Sequence, residues 1–168
     1  MWHVGVHRYV WVTRSLVLKF PRVPVGSLFE TLKTFGLGRQ GLRLVWSEVC
    51  DGFMENIREV HCFYTTRHPL LVRLYLPLVF VNVYARQDGV GHFFFAAGEL
   101  YDGAWKSGDH ELARALQPCS HTFDSRENFA YNKGCVKIID YGERGFTNLL
   151  IKYGGKIEEF LLSRAQAE

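Results

Sequence analysis

His121-Thr-Phe-Asp-Ser-Arg-Glu-Asn-Phe-Ala-Tyr-Asn-Lys-Gly-Cys-Val-Lys-Ile-Ile-Asp-Tyr-Gly142 is the stretch on which the reading of this chain turns. A polar loop leads into an alternating segment, Phe129 to Tyr131, then Asn132-Lys133-Gly134 supplies turn chemistry and Val136 to Ile139 returns as a second strand. A hairpin of this kind can aim Asn128 and Asp140 at one point. An amide oxygen and a carboxylate there suit a hard cation such as magnesium, which takes one or two carboxylates together with substrate phosphates. The plainer alternative is an ordinary hairpin with polar flanks.

Outward from that stretch, 168 residues suffice for one compact domain, or two small lobes, with a real core. A hydrophobic fraction of 48% against 22% charged excludes a disordered chain. The formal charge of +3 is unevenly spread, because residues 1–50 carry seven Lys/Arg and only two acids. Such a field attracts phosphate or an acidic partner, or is simply a solvated basic face, and nucleic acid is not expected as a partner. Cys50, Cys62, Cys119 and Cys135 form no CxxC pair and match no zinc spacing, so they are expected as buried, reduced thiols of a cytoplasmic protein. The apolar run Leu70 to Tyr84 is interrupted by Arg73, Pro77 and Asn82 and falls short of the roughly 20 residues of a spanning helix. It reads as buried strand, and no membrane or targeting segment is expected.

Three short antiparallel strands open the chain, at Trp2 to Val4, Arg8 to Val12 and Leu16 to Phe20. Lys19 lies on the third, where a lysine is ordinarily an edge or surface residue. A short helix is expected at Ser27 to Phe35, with Ser27 and Glu30 at capping-box spacing. Gly36-Leu-Gly-Arg-Gln-Gly41 matches GxGxxG in letters only and reads as a flexible linker. A clearer helix runs from about Asp51 to Phe63, with Phe53, Ile57, Val60 and Tyr64 as its apolar stripe and Glu59 solvated on its flank. Leu70 to Tyr84 gives one long or two broken strands, and His92 to Ala97 another. Gly98 to Ser107 is a connector, Asp109 to Gln117 a helix ended by Pro118, and Lys156 to Arg164 a final amphipathic helix.

In series these pieces resemble the protein-kinase fold. Val17-Leu18-Lys19 is similar to the family's third-strand lysine motif, and Glu59 sits on a following helix, where the family keeps its paired glutamate. His68-Pro-Leu-Leu-Val-Arg-Leu-Tyr75 resembles the entry to the fourth strand. Phe93 to Tyr101 resembles the fifth strand and hinge. Glu127-Asn128 and Val136-Lys-Ile-Ile-Asp-Tyr-Gly142 resemble the catalytic-loop asparagine and the metal-binding Asp-Phe-Gly motif. The resemblance implies an α+β, minimal protein-kinase-like fold: an antiparallel sheet N-lobe with one main helix over residues 1–97, and a severely truncated C-lobe over 98–168. It further implies that Lys19 contacts nucleotide phosphates and pairs with Glu59, that the hinge about Ala97 and Glu99 offers backbone hydrogen bonds to an adenine, and that Asn128 and Asp140 hold magnesium.

The departures bear on activity. Counted back from Asn128, His121 falls on the family's catalytic-loop histidine, but Phe123 stands where the catalytic aspartate belongs; Asp124 fits only if the loop is shifted by one residue. No glycine-rich loop precedes the second strand, and the 26 residues after Gly142 leave no room for an activation segment or a large helical lobe. The expectation is therefore a degenerate, pseudokinase-like binding or inhibitory module that needs no cofactor and whose partner is another protein. Small proteins of this pattern resemble hypothetical proteins of bacteriophages, which would make the partner a host factor and the site of action the host cytoplasm. The alternative is a small phosphotransferase or nucleotide switch using ATP and magnesium.

Overall fold

The computed structural model describes residues 1–4, 8–22, 25–36, 38–78, 80–90 and 97–167. They form an α+β chain with an antiparallel five-stranded sheet, a separate hairpin and six α-helices among the described residues. Two compact units result, one of Met1–Ile57 with Leu74–Arg86 and one of Arg58–Arg73 with Gln87–Glu168. The division expected after residue 97 falls elsewhere for a hydrogen-bonding reason. Leu70 and Val72 exchange backbone bonds with Ile138 (2.7 and 3.2 Å), and Gly89 accepts one from Tyr131 (3.2 Å), so these segments belong with the C-terminal elements.

In the first unit β1 (Trp2–Val4), β2 (Arg8–Val12), β3 (Leu16–Pro21), β4 (Leu74–Pro77) and β5 (Asn82–Ala85) line up in the order β1-β2-β3-β5-β4. The apolar run after Leu70 thus yields two strands, closed by a Leu78 N–H to Val81 carbonyl bond of 3.1 Å. Strand alternation sorts the side chains onto two faces. Arg8, Lys19, Asn82, Tyr84 and Leu74 share the buried face, while Trp2, Tyr9, Trp11 and Leu76 are exposed. Trp2 and Trp11 stack at 5.6 Å across β1 and β2.

Lys19 is therefore not the surface lysine that strand statistics suggest. It lies on the middle strand of five, is 3% exposed, and its Nζ stands 4.9 Å from the centre of the Tyr84 ring. A buried ammonium is costly to desolvate, and the ring's negative face offsets part of that cost. Other atoms of the neighbouring polar residues are tied in as well. Asn82 Nδ2 donates to the Asn56 carbonyl (3.0 Å) and to Tyr84 Oη (3.1 Å), and Arg8 Nε meets Glu55 Oε2 at 3.1 Å.

The helices are longer than periodicity alone indicates. α1 (Val25–Phe35) starts two residues before Ser27, so that serine lies within the helix instead of capping it. α2 (Arg39–Thr66) runs for 28 residues and takes in the second half of the expected glycine linker, residues 39–41. A tight turn makes this possible: Gly36 has φ 67°, and a Cβ on Gly41 would collide with the Gly36 carbonyl oxygen. α2 is also rotated against expectation. Gly52, Asn56, Glu59 and Cys62 are buried, whereas Ile57 and Tyr64 of the apolar stripe are exposed. Among the described residues no helix is long and apolar enough to cross a membrane.

The second unit is built around β6 (Phe129–Asn132) and β7 (Cys135–Ile138), paired Phe129 to Ile138 and Asn132 to Cys135. The two turn residues, Lys133 (φ 52°) and Gly134 (φ 79°), both have positive φ, the mirror-image turn whose twist suits adjoining strands. The remaining helices are α3 (Ala97–Lys106), α4 (His110–Leu116), α5 (Ser120–Phe123) and α6 (Phe146–Ala167). Asp109 caps α4, its Oδ1 accepting the Leu112 N–H at 3.1 Å. The segment expected as a connector is thus helix from Gly98 to Lys106, while residues 92–96 of the expected strand lie outside the described residues. α6 begins ten residues before the expected Lys156 and buries Phe146, Leu149, Leu150, Tyr153, Ile157 and Leu161 along one stripe. Of the four free cysteines, Cys62 and Cys119 are buried, but Cys135 is exposed. Burial pushes the Cys62 thiol up to about 11 and the Cys119 thiol up to about 12, so both are neutral and inert near pH 7.

The pair Gly154-Gly155 did not interrupt α6, and only the first has a packing reason to be glycine. A Cβ at Gly154 would run into the His68 ring, while one at Gly155 meets nothing. Gly155→Ala should therefore raise stability by about 0.5–1 kcal/mol through helix propensity, and Gly154→Ala should lower it by about 1–3 kcal/mol through overpacking, both measured by urea unfolding.

His68 yields a second expectation. The Leu70 N–H donates to its Nδ1 at 3.2 Å, which requires that nitrogen unprotonated. Burial holds the imidazole below its ordinary value; Glu158 pulls it up and Lys137 adds to the depression. The unfolded chain therefore takes up this proton more readily, and the stability that His68 contributes is present above about pH 6.5 and lost as the pH falls below it. The melting temperature should drop from pH 7.5 to pH 5 more steeply for the natural protein than for His68→Gln.

Candidate functional site

α5 is a single turn of helix, too short to satisfy its own backbone groups. Its early N–H groups are taken by a carboxylate from beyond the hairpin: Glu143 Oε1 accepts from His121 N–H (3.2 Å) and Oε2 from Thr122 N–H (2.9 Å). The carbonyls of the same two residues are taken from the other side. Asn128 Nδ2 donates to the His121 carbonyl (3.2 Å) and the Thr122 carbonyl (3.1 Å). The peptide groups of His121 and Thr122 are thus clamped between Glu143 and Asn128. Since only an NH₂ group can donate to carbonyls, the amide's orientation is fixed and Oδ1 is its accepting atom.

Backbone pairing puts the two proposed metal ligands at the same end of the hairpin. Ile139 N–H donates to the Asn128 carbonyl at 2.8 Å, extending the β6–β7 pairing by one step and placing Asp140 immediately beyond. Tyr141 is fully buried, and its Oη donates to the Val72 carbonyl at 3.2 Å, which fixes the chain just after Asp140. The next turn is held by Cys119 Sγ donating to the Arg144 carbonyl at 3.6 Å. Among the described residues no cluster of three or more His, Cys, Asp or Glu side chains could hold a metal ion. Asn128 and Asp140 supply one amide oxygen and one carboxylate, a set that suits magnesium only together with a ligand's own oxygens.

Phe123 and Asp124 go to opposite environments. Phe123 is fully buried, with its ring 6.2 Å from Phe129 and 5.9 Å from Phe146. A carboxylate at that position would face apolar rings and not a substrate. Asp124 is exposed, and its backbone N–H donates to the Ser120 carbonyl at 2.9 Å to close the helical turn.

Of the other candidates, Lys19 belongs to the first unit, whereas Glu59, Ala97, Glu99, Asp124, Asn128 and Asp140 belong to the second. Glu59 is fully buried on α2 and is not the solvated residue its helix position suggests. Ala97 and Glu99, at the hinge that the resemblance implies, lie in the first turn of α3, where the backbone is helical. Glu99 pairs with Arg164 Nη2 at 2.6 Å, an exposed contact between α3 and α6. Glu143 is the residue that reading the sequence missed. Its one visible signal was an acid directly after the Asp-Tyr-Gly turn, and nothing local shows that its partners lie more than twenty positions upstream. No family model matches this chain, and no curated protein matches it.

The clamp separates two roles for Asn128. A residue serving only as a metal ligand would tolerate aspartate, but a carboxylate cannot donate to the His121 and Thr122 carbonyls. Asn128→Asp should therefore lose about 1–3 kcal/mol of stability without any added cation, and Glu143→Gln a comparable amount, by chemical unfolding.

Proposed function

We propose that the chain is a degenerate kinase-like protein acting as a non-catalytic binding or inhibitory module for another protein. The observation that carries this reading is Phe123. The position at which the resemblance requires a catalytic base holds a fully buried ring packed on Phe129 and Phe146. General base catalysis needs a group within hydrogen-bond reach of the proton it abstracts, and a core phenylalanine offers none. The rest of the resemblance is supported by order along the fold. Lys19 is on the third strand, Glu59 on the helix before the fourth, and His68-Pro69 on the turn leading to it. Asn128 and Asp140 flank the hairpin. In this reading the kinase-like parts are kept as a scaffold, the protein works in the cytoplasm, and the kinship in character with small bacteriophage proteins makes a host protein the kind of partner.

A second reading is favoured by two specific observations. The Asn128 amide is held with Oδ1 as its accepting atom at the end of the hairpin where Asp140 follows β7, and Lys19 is buried at the cost of desolvation. Both suit a nucleotide-binding switch or a small phosphotransferase with ATP and magnesium, in which Asp124 would have to serve as the base.

Two measurements divide the readings. Purified protein incubated with γ-labelled ATP and magnesium should transfer no phosphate; transfer abolished by Asp140→Ala and by Asp124→Asn would sink the non-catalytic reading. Thermal melting with ATP and magnesium at about 100 times a dissociation constant would add about 2.7 kcal/mol to a binder. An unchanged melting curve at millimolar nucleotide rejects the switch.

A further inference from the structure

The outward face of α2 is apolar where an ordinary surface helix is polar. Leu42, Trp46, Phe53 and Ile57 recur at i, i+4, i+11 and i+15, the spacing of one helical stripe. Leu42 is 52% exposed and Trp46 69%, with Met54 and Ile57 also exposed and Phe53 half-buried, while Gly41, Gly52 and Asn56 take the buried side. Phe80, exposed and in edge-on contact with Phe53 at 5.6 Å, extends the stripe. At these exposures Leu42, Trp46, Met54, Ile57 and Phe80 offer about 500 Å² of apolar surface, more than half of the roughly 800 Å² that each partner contributes to a stable interface.

The charges of the same segment indicate what covers this face. Over residues 25–57 they nearly balance, Lys33, Arg39 and Arg43 against Glu30, Glu48, Asp51 and Glu55, so a surface of one sign is not matched. Along α2 they are sorted, however: both arginines precede Trp46 and all three acids follow it. A helix with a basic first half and an acidic second half is complementary to a second copy of itself running antiparallel, and repels one running parallel. Arg43, Ser47 and Asp51 recur every four residues along one flank of the stripe, the first two exposed and the third half-buried. In a two-fold pair the same patch meets itself. With the axis near Ser47, Arg43 lies four positions before it and Asp51 four beyond, so each arginine comes opposite the aspartate of the other copy. The same register sets Leu42 against Phe53 and brings Trp46 beside its own counterpart. Glu55 is already held by Arg8 Nε at 3.1 Å, so Asp51 is the acid that carries the match.

We infer that the outward face of α2 is the interface of a symmetric homodimer, in which two α2 helices pack antiparallel about a two-fold axis near Ser47. An unrelated protein could cover the apolar rings, but nothing would require it to bear an acid and a ring at the matching spacing. A second copy bears both because it bears the same helix. The dimer rests on α2 and is independent of the kinase-like reading.

The test is sedimentation equilibrium of the full chain at micromolar concentration, where the mass should be twice 19.4 kDa. Trp46→Ser should be monomeric over the same range. Arg43→Asp and Asp51→Arg each set like charges opposite one another twice per dimer and should weaken it by about tenfold, and the double variant should return to within about threefold of the natural protein. Trp46 and Arg43 face solvent, so the circular dichroism of their variants should be unchanged. A monomer at every concentration overturns the inference, and one that binds anionic vesicles or a different protein through Trp46 gives the face to that occupant. A dimer that survives Trp46→Ser, or that the double charge exchange fails to restore, overturns it equally.

Discussion

A helix of one turn cannot close its own hydrogen bonds, and the arrangement around His121 and Thr122 follows from that constraint. Four backbone groups need partners from elsewhere, and the chain provides them from the two sides of the β6–β7 hairpin: Asn128 just before it and Glu143 just after it. The loop therefore has its shape only when the hairpin is closed. The hairpin in turn depends on neighbours, since an isolated two-stranded ribbon is marginal in water. Leu70 to Val72 bond along β7 and Gly89 bonds to β6, so the candidate site rests on segments distant in sequence.

In the first unit the constraint is electrostatic. Arg8, Glu55, Asn56, Lys19 and Asn82 occupy the side of the sheet and of α2 that is withdrawn from water, and the large apolar side chains Trp2, Trp11, Leu42 and Trp46 are left outside. Apolar cores stabilise without directional demands; a polar interior stabilises only when its pairings are met, and breaking one partner leaves an uncompensated group. This unit exchanges hydrophobic stability for a fixed internal geometry. The same polarity of design explains why α2 turns its apolar stripe outward.

Strand pairing and turn chemistry were legible in the sequence because they are local. β1 to β3, the Lys133-Gly134 turn and the presence of α4 all follow from alternation, turn chemistry and an apolar stripe stopped by Pro118 within a few positions. Helix length and rotation were not legible. Gly36, Gly38 and Gly41 signal a linker by composition, and only the close approach of Gly41 to the Gly36 carbonyl shows that one glycine permits a helix to start. The stripe Phe53, Ile57, Val60, Tyr64 has the period of a packed face, but periodicity cannot say which face meets the sheet when buried polar groups compete for it. At the candidate site, the placement of Asn128 and Asp140 at one end of the hairpin was legible from its register. Glu143 was not, because its meaning depends on His121 and Thr122, which reach it only through tertiary structure.

The exposed thiol at the tip of the hairpin has a practical consequence. Cys62 and Cys119 are buried and hold their protons, whereas Cys135 stands in solvent beside the Lys133-Gly134 turn, at the end of the ribbon opposite Asn128 and Asp140. With half-buried Cys50 replaced, a thiol-directed fluorophore would attach at this one place and leave the clamped loop untouched. The hairpin thus carries its own reporter position, from which opening and closing of the ribbon can be followed in solution.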